Sequence, residues 1–118
     1  MDKYEKNLRL QLRLNPTTWQ TLSEQGVTSD TLLSLNFLFY APNEELANRL
    51  GSALKQQGYK LTVSKDSSIF RRRWIVEGDV PPAKYALKII DEWVTEMVIA
   101  SKKFNSEFDG WGAFVPKG

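Results

Sequence analysis

The sequence predicts an α+β fold for this chain of 118 residues. Two segments carry apolar stripes at helical spacing, three alternate apolar and polar residues as strands do, and a short aromatic segment closes the chain. Their order is strand, helix, strand, strand, helix, strand, so the compact arrangement is a ferredoxin-like sandwich (βαββαβ) with an extra N-terminal helical segment. We expect one domain, in which residues 1–16 form an extension and residues 17–118 form the ferredoxin-like core.

The N-terminal extension carries two conflicting patterns. In "NLRLQLRLN" every second residue is leucine, which is strand spacing, but Leu, Arg and Gln all favour helix, and we predict helix. A short second helix is then expected, with Asn15 as its N-cap, Pro16 at its first position and Gly26 as its stop.

The first strand is predicted over residues 32–41, "LLSLNFLFYA". Its alternation places two sets of side chains on opposite sides. One side carries Leu33, Leu35, Phe37 and Phe39, and the other carries Ser34, Asn36, Leu38 and Tyr40. Asn43 is expected to cap the helix that follows, and Gly58 is expected to end it.

Two further strands are predicted after Gly58. The first is "YKLTVS", and the turn "KDSS" leads from it into "IFRRRWIVEG". In this third strand the alternation separates Phe70, Arg72, Trp74 and Val76 from Arg71, Arg73 and Ile75.

Pro81 and Pro82 are expected to open the longest helix of the core. Its apolar stripe consists of Ala86, Ile90, Trp93, Met97, Ala100 and Phe104. The motif Asp109-Gly110-Trp111-Gly112 comes next, and we assign it a structural role. Asp109-Gly110 suits a turn, Trp111 would cover the end of the sheet, and Gly112 would permit close approach in the last strand.

The composition excludes most catalytic chemistries. The chain contains no histidine and no cysteine, which removes the Ser-His and Cys-His nucleophile arrangements and the usual ligands of transition metals. Glu92 and Glu96 are four residues apart, but Lys88 precedes them on a polar face that reads as solvated. We therefore predict no enzymatic activity, cofactor or metal. The charged N-terminus and the lack of a long apolar run predict a cytoplasmic protein that does not enter the membrane.

A partner-binding surface is expected on the sheet face that the helices leave uncovered. Asn36 and Tyr40 lie on that side of the first strand, and Arg71 and Arg73 lie on that side of the third. Arginines beside aromatic residues suit an acidic peptide or phosphates. Direct RNA binding stays an alternative, although the glycine-containing signature of RNA-recognition domains is missing.

The chain resembles the regulator of ribonuclease activity B family, whose members are bacterial protein inhibitors of ribonuclease E. The resemblance covers residues 17–115 and rests on "LNFLFYAPNEELANRLGSALKQQGYKLTV", the long helix and the terminal "FDGWGAFV". It implies a ferredoxin-like, non-enzymatic, cytoplasmic protein that binds the non-catalytic scaffold region of its ribonuclease and alters RNA turnover.

The net charge of +2 sets this chain apart, because typical members are strongly acidic. On this resemblance we predict a divergent member, a monomer or weak homo-oligomer that binds and inhibits a ribonuclease of the E type. An immunity protein against a toxin nuclease is the further alternative.

Overall fold

The computed structural model of the protein describes residues 2–115. It contains three helices and six strands among those residues. In chain order they are α1 (Lys3–Glu24), β1 (Leu32–Leu33), β2 (Leu35–Ala41), α2 (Glu44–Gln56), β3 (Lys60–Lys65), β4 (Trp74–Asp79), β5 (Ala83–Lys84), α3 (Leu87–Lys103) and β6 (Glu107–Ala113).

The main sheet has four antiparallel strands in the order β3-β4-β2-β6, and β1 and β5 form a separate two-stranded ladder. Helix α2 packs on β2, β3 and β4, while α3 packs on β6 and on α1. The α+β prediction is confirmed. The predicted order of strand, helix, strand, strand, helix, strand appears in β2, α2, β3, β4, α3 and β6.

Strand β2 is the centre of the core. Its burial alternates as predicted, with Leu35, Phe37 and Phe39 buried and the residues between them partly exposed. The ring of Phe39 lies 5.2 Å from that of Phe108 on β6, centroid to centroid. Phe108 in turn meets Trp93 of α3 edge to face at 6.3 Å, so the sheet and the helix layer share one aromatic cluster.

Helix α1 is continuous, so the prediction that Asn15 caps a second helix is wrong. Asp2 is the N-cap, and its carboxylate accepts a hydrogen bond from the amide of Glu5. Asn15 is 1% exposed, and its side chain is turned toward α3 and β6 instead of the backbone of α1. Pro16 lies inside the helix, and the expected boundary between extension and core therefore falls within α1.

The caps of α2 are confirmed. The side chain of Asn43 accepts a hydrogen bond from the amide of Leu46, and Gly58 has φ of 90°, which favours glycine just past a helix end. The predicted start of the long helix at Pro81-Pro82 is wrong. Sheet pairing continues there, since the amide of Val80 donates to the carbonyl of Leu35 and β5 follows the prolines; α3 begins at Leu87.

The third strand of the core begins later than predicted. The amide of Asp66 donates to the carbonyl of Arg73, which closes the hairpin at that pair, and the chain between them has no strand partner. Arg71 and Arg72 therefore lie on the loop before β4, while Trp74 and Val76 take the predicted strand positions.

The last strand, which was expected to cover "GWGAFV" from Gly110 onward, begins earlier than predicted. β6 starts at Glu107, so Asp109-Gly110 lies inside a strand and not in a turn before it. The register with β2 shifts between Phe108 and Gly110, which makes Asp109 the extra residue of a bulge. No helix among the described residues is long and apolar enough to cross a membrane.

Candidate partner-binding site

The uncovered face of the main sheet carries the side chains that alternate with the core. We call it the open face, and the strand registers define its members. They are Asn36, Leu38, Tyr40, Lys60, Thr62, Ser64, Ile75, Glu77, Asp79 and Glu107. The helices pack on the opposite face, where Leu35, Phe37 and Phe39 are buried.

Three side chains form a stacked cluster at one end of the open face. The guanidinium carbon of Arg73 lies 3.5 Å from the centre of the Tyr40 ring, and Nε of Arg73 donates a 2.6 Å hydrogen bond to the Asp66 carboxylate. This hydrogen bond lowers the pKa of Asp66, and a hydrogen bond from the amide of Ser68 lowers it further by a smaller amount. The same carboxylate raises the pKa of Arg73. Arg73 is thus a charged group held in place by two neighbours.

Arg71 lies outside the sheet, on the loop that joins β3 to β4. We call residues 67–72 the 67–72 loop. Its tip exposes Ile69 and Phe70 at 86% and 89% of their surface, and Arg71 and Arg72 follow directly. Among residues 2–115 neither of these two arginines forms a salt bridge.

Asn36 lies at the other end of β2. It borders a surface depression of about 590 Å³, which we call the groove. Its lining combines apolar side chains with two carboxylates and one lysine. The lining residues are Asn36, Phe37, Leu38, Lys60, Leu61, Thr62, Glu77, Gly78, Asp79 and Phe114. Gly112 faces Asn36 across the strands, and a Cβ there would lie 3.1 Å from the amide oxygen of Asn36.

The structure brings together two of the four predicted site residues. Tyr40 and Arg73 are stacked, whereas Asn36 is four residues from Tyr40 along β2, about 13 Å by strand rise. Arg71 is on the loop. Across the open face, Glu77, Asp79 and Glu107 outnumber Lys60, and the charge of Arg73 is matched by Asp66. The face is mildly acidic, where the sequence predicted an arginine patch.

The motif Asp109-Gly110-Trp111-Gly112 lies where β6 meets α1. Gly110 has φ of 150° at the bulge, a value that favours glycine. The side-chain amide of Asn7 donates to the carbonyl of Phe108 at 2.9 Å, and that of Gln11 donates to the carbonyl of Asp109 at 3.2 Å. α1 therefore satisfies carbonyls on the outer edge of the sheet.

Trp111 completes this contact. Its ring is partly buried, and Nε1 donates to the side-chain oxygen of Asn15 at 2.8 Å. The amide of Asn15 donates in turn to the carboxylate of Asp91 at 2.9 Å. The motif thus links β6 to both α1 and α3.

Sequence reasoning missed the polar residues that fasten α1. Asn7, Gln11 and Asn15 recur every four residues, which puts them on one face of a helix, and this spacing among leucines was the available signal. It also missed the role of Asp66 in holding Arg73. The sequence Asp-Ser-Ser is common in turns and gives no specific signal of that contact.

The two glutamates of α3 were the remaining candidate for a functional site. Glu92 and Glu96 both lie on the exposed side of α3, as the solvated-face reading predicted. Within the described part of the chain, no group of three or more carboxylates is placed to hold a metal ion. The distinctive features are the Tyr40–Arg73–Asp66 cluster, the 67–72 loop and the groove.

Comparison with known families gives one relevant match. A family model described as "Regulator of ribonuclease activity B" matches residues 14–113, a segment that includes all four strands of the main sheet and the link between Asn15 and Trp111. Comparison with curated proteins gives no significant match.

Proposed function

Because the chain belongs to the regulator of ribonuclease activity B family, we propose that it is a non-catalytic protein that binds a ribonuclease of the E type and thereby changes RNA turnover. The observation that carries the proposal is the extent of the family match, which spans the whole sheet. The absence of histidine and cysteine from the sequence supports regulation by binding over chemistry. We further propose that the protein is bacterial and cytoplasmic and that it consists of one domain.

The proposed contact surface is the end of the open face around Tyr40 and Arg73, together with Arg71 on the adjacent loop and Asn36 near the groove. Tyrosine and arginine are enriched where binding energy concentrates in protein interfaces. The Arg73 side chain is already ordered by Asp66 and Tyr40, so little side-chain entropy is lost when a partner covers it. Asp109, Gly110, Trp111 and Gly112 have a structural role in this proposal.

A binding experiment with purified components tests the proposal. The probes are the scaffold region and the catalytic region of the ribonuclease E-type enzyme from the same cell, each titrated against this protein by calorimetry after nuclease treatment. Binding to the scaffold region, weakened at least tenfold by Tyr40→Ala, supports it. Glu92→Gln is the matched control, because Glu92 is exposed on the helix layer.

Three other outcomes contradict the proposal. If neither the scaffold region nor the catalytic region binds, the ribonuclease is excluded as the partner. Binding that is seen only when the nuclease treatment is omitted, and that falls steeply with salt, indicates that the arginines hold phosphates directly. Tight binding to a toxin nuclease in place of this enzyme indicates an immunity protein.

A further inference from the structure

The 67–72 loop presents an apolar pair in a defined conformation. Ser68 organises the loop, since its amide donates to Asp66, its hydroxyl accepts from the amide of Phe70, and its carbonyl accepts from the amide of Arg71. The Asp66–Arg73 hydrogen bond closes its base. Ile69 and Phe70 nevertheless stay at least 86% exposed, and such an apolar tip gains free energy when another surface covers it.

The groove has the complementary chemistry. Leu38 lines it with its side chain, and Phe114 stands beside it with 78% of its surface exposed. Glu77 and Asp79 provide the carboxylates, and within residues 2–115 neither of them forms a salt bridge. An apolar tip followed by two arginines therefore matches an apolar groove that carries two carboxylates.

The loop and the groove are at opposite ends of the same two strands. The loop joins the end of β3 to the start of β4, whereas Lys60, Leu61, Gly78 and Asp79 lie at the far ends of these strands. A chain cannot fold its own loop back over about 20 Å of rigid sheet. A second copy placed face to face with reversed strand direction would bring its loop over this groove.

We infer that two copies of this chain associate through their open faces, with the 67–72 loop of each copy seated in the groove of the other. The twofold axis lies between the two faces and runs across the strands, so both loops are satisfied by one self-complementary interface. Phe70 packs against Phe114 and Leu38 of the second copy, and Arg71 and Arg72 pair with Glu77 and Asp79.

The small area of the open face indicates a weak dimer. Four strands spaced about 4.8 Å apart and some seven residues long present a face of roughly 20 by 20 Å. Two such faces bury roughly 800 Å² together, which is below the standard size of a specific protein interface, so the dimer is weak and forms only at high concentration. The exposed charge pairs make it weaker in high salt.

This inference does not depend on the proposed function, although the two concern the same surface. Tyr40 lies between the loop and the groove, so dimer formation covers the surface proposed for the ribonuclease. Self-association and ribonuclease binding would then exclude one another.

Sedimentation equilibrium of the purified chain, from micromolar to near-millimolar concentration, tests the inference. The wild-type protein is expected to pass from monomer to dimer. Phe70→Ser, the pair Arg71→Glu with Arg72→Glu, and the pair Glu77→Lys with Asp79→Lys are each expected to raise the dissociation constant at least tenfold. The pair Lys55→Glu with Lys88→Glu, on exposed helix surfaces, is the control that leaves it unchanged.

Mixing the two charge-reversed pairs is the decisive step. The arginine-reversed and carboxylate-reversed chains are expected to form a heterodimer together, and circular dichroism confirms that each variant is folded. A wild-type chain that stays monomeric throughout overturns the inference. So does a dimer that survives these substitutions, or a mixture in which neither chain regains its partner.

Discussion

The indole nitrogen of Trp111 donates a 2.8 Å hydrogen bond to the side-chain oxygen of Asn15, a residue 96 positions earlier in the chain. Asn15 is 1% exposed and also donates to Asp91 of α3. The Trp111 ring packs edge to face on Trp93, with 6.4 Å between centroids. One amide and one indole therefore connect α1, α3 and β6, and the glycines around Trp111 belong to this junction.

Replacement of Trp111 tests whether the motif is structural. Trp111→Ala removes the contact with Trp93 and leaves Asn15 without its donor, so we expect the free energy of unfolding to fall by about 3 kcal/mol. Asp109→Ala, at the exposed bulge residue two positions earlier, is expected to cost less than about 0.5 kcal/mol. Urea denaturation followed by circular dichroism measures both. Full stability of Trp111→Ala with loss of a partner would identify the motif as a binding site.

A double-mutant cycle tests the hydrogen bond itself. Asn15→Ala leaves the indole donor and the Asp91 carboxylate without their buried partner, at an expected cost of about 1 to 3 kcal/mol. Trp111→Phe keeps an aromatic ring but removes the donor. Because the two side chains share one contact, the double mutant is expected to lose less than the sum, with a coupling of about 0.5 to 3 kcal/mol. Additive losses would show that the contact contributes nothing.

The class of the fold could be predicted from sequence because the signals were local. Alternation in residues 35–41 separated core from open face correctly, and Asn43 and Gly58 marked both ends of α2. Asn15-Pro16 misled, because the same dipeptide that starts many helices is here inside one. The side chain of Asn15 contacts Trp111 instead of capping a helix, and no local pattern reports a partner 96 residues away.

Gly78 tests how closely β3 and β4 approach beneath the groove. A Cβ at this position would lie 1.9 Å from the carbonyl oxygen of Lys60 and 2.6 Å from the Cα of Leu61, both of which are backbone atoms. Because the backbone must move to admit a methyl group, Gly78→Ala is expected to lower the free energy of unfolding by about 1 to 3 kcal/mol. Thermal denaturation measures it, with Thr62→Ala on the exposed neighbouring strand as control. An unchanged melting temperature would contradict the close approach.

The Asp66–Arg73 contact predicts a pH dependence confined to acid. The hydrogen bond from Arg73 lowers the pKa of Asp66 in the folded protein from its ordinary value of 3.8. The stabilisation is therefore fully present above that value and is lost as the pH falls through the lower, folded pKa. The Nε–H resonance of Arg73, followed by NMR from neutral pH into acid, is expected to shift only there. In Asp66→Asn this step is expected to disappear, and its persistence would assign it to another carboxyl group.

The candidate site was less predictable than the fold. Tyr40 was placed on the correct face by alternation, but alternation through "FRRRW" assumed a strand that begins only at Trp74. The Asp66 carboxylate accepts hydrogen bonds from the amide of Ser68 and from Nε of Arg73, and these two bonds hold residues 67–72 as a loop. Whether such a segment forms a loop or a strand depends on this specific pair of contacts. The acidic character of the open face likewise arises from strand register, which places Glu77 and Asp79 of β4 on the same face as Glu107 of β6.

Regulation of a ribonuclease by binding is tested most directly by an RNA-cleavage assay. Purified protein is added to the full-length ribonuclease E-type enzyme and, in parallel, to its catalytic region alone, with a fixed RNA substrate. We expect cleavage by the full-length enzyme to slow several-fold at saturation, with no effect on the catalytic region and no cleavage by this protein alone. Unchanged cleavage by the full-length enzyme at saturating protein, or RNA cleavage by the protein itself, would contradict a non-catalytic regulatory role.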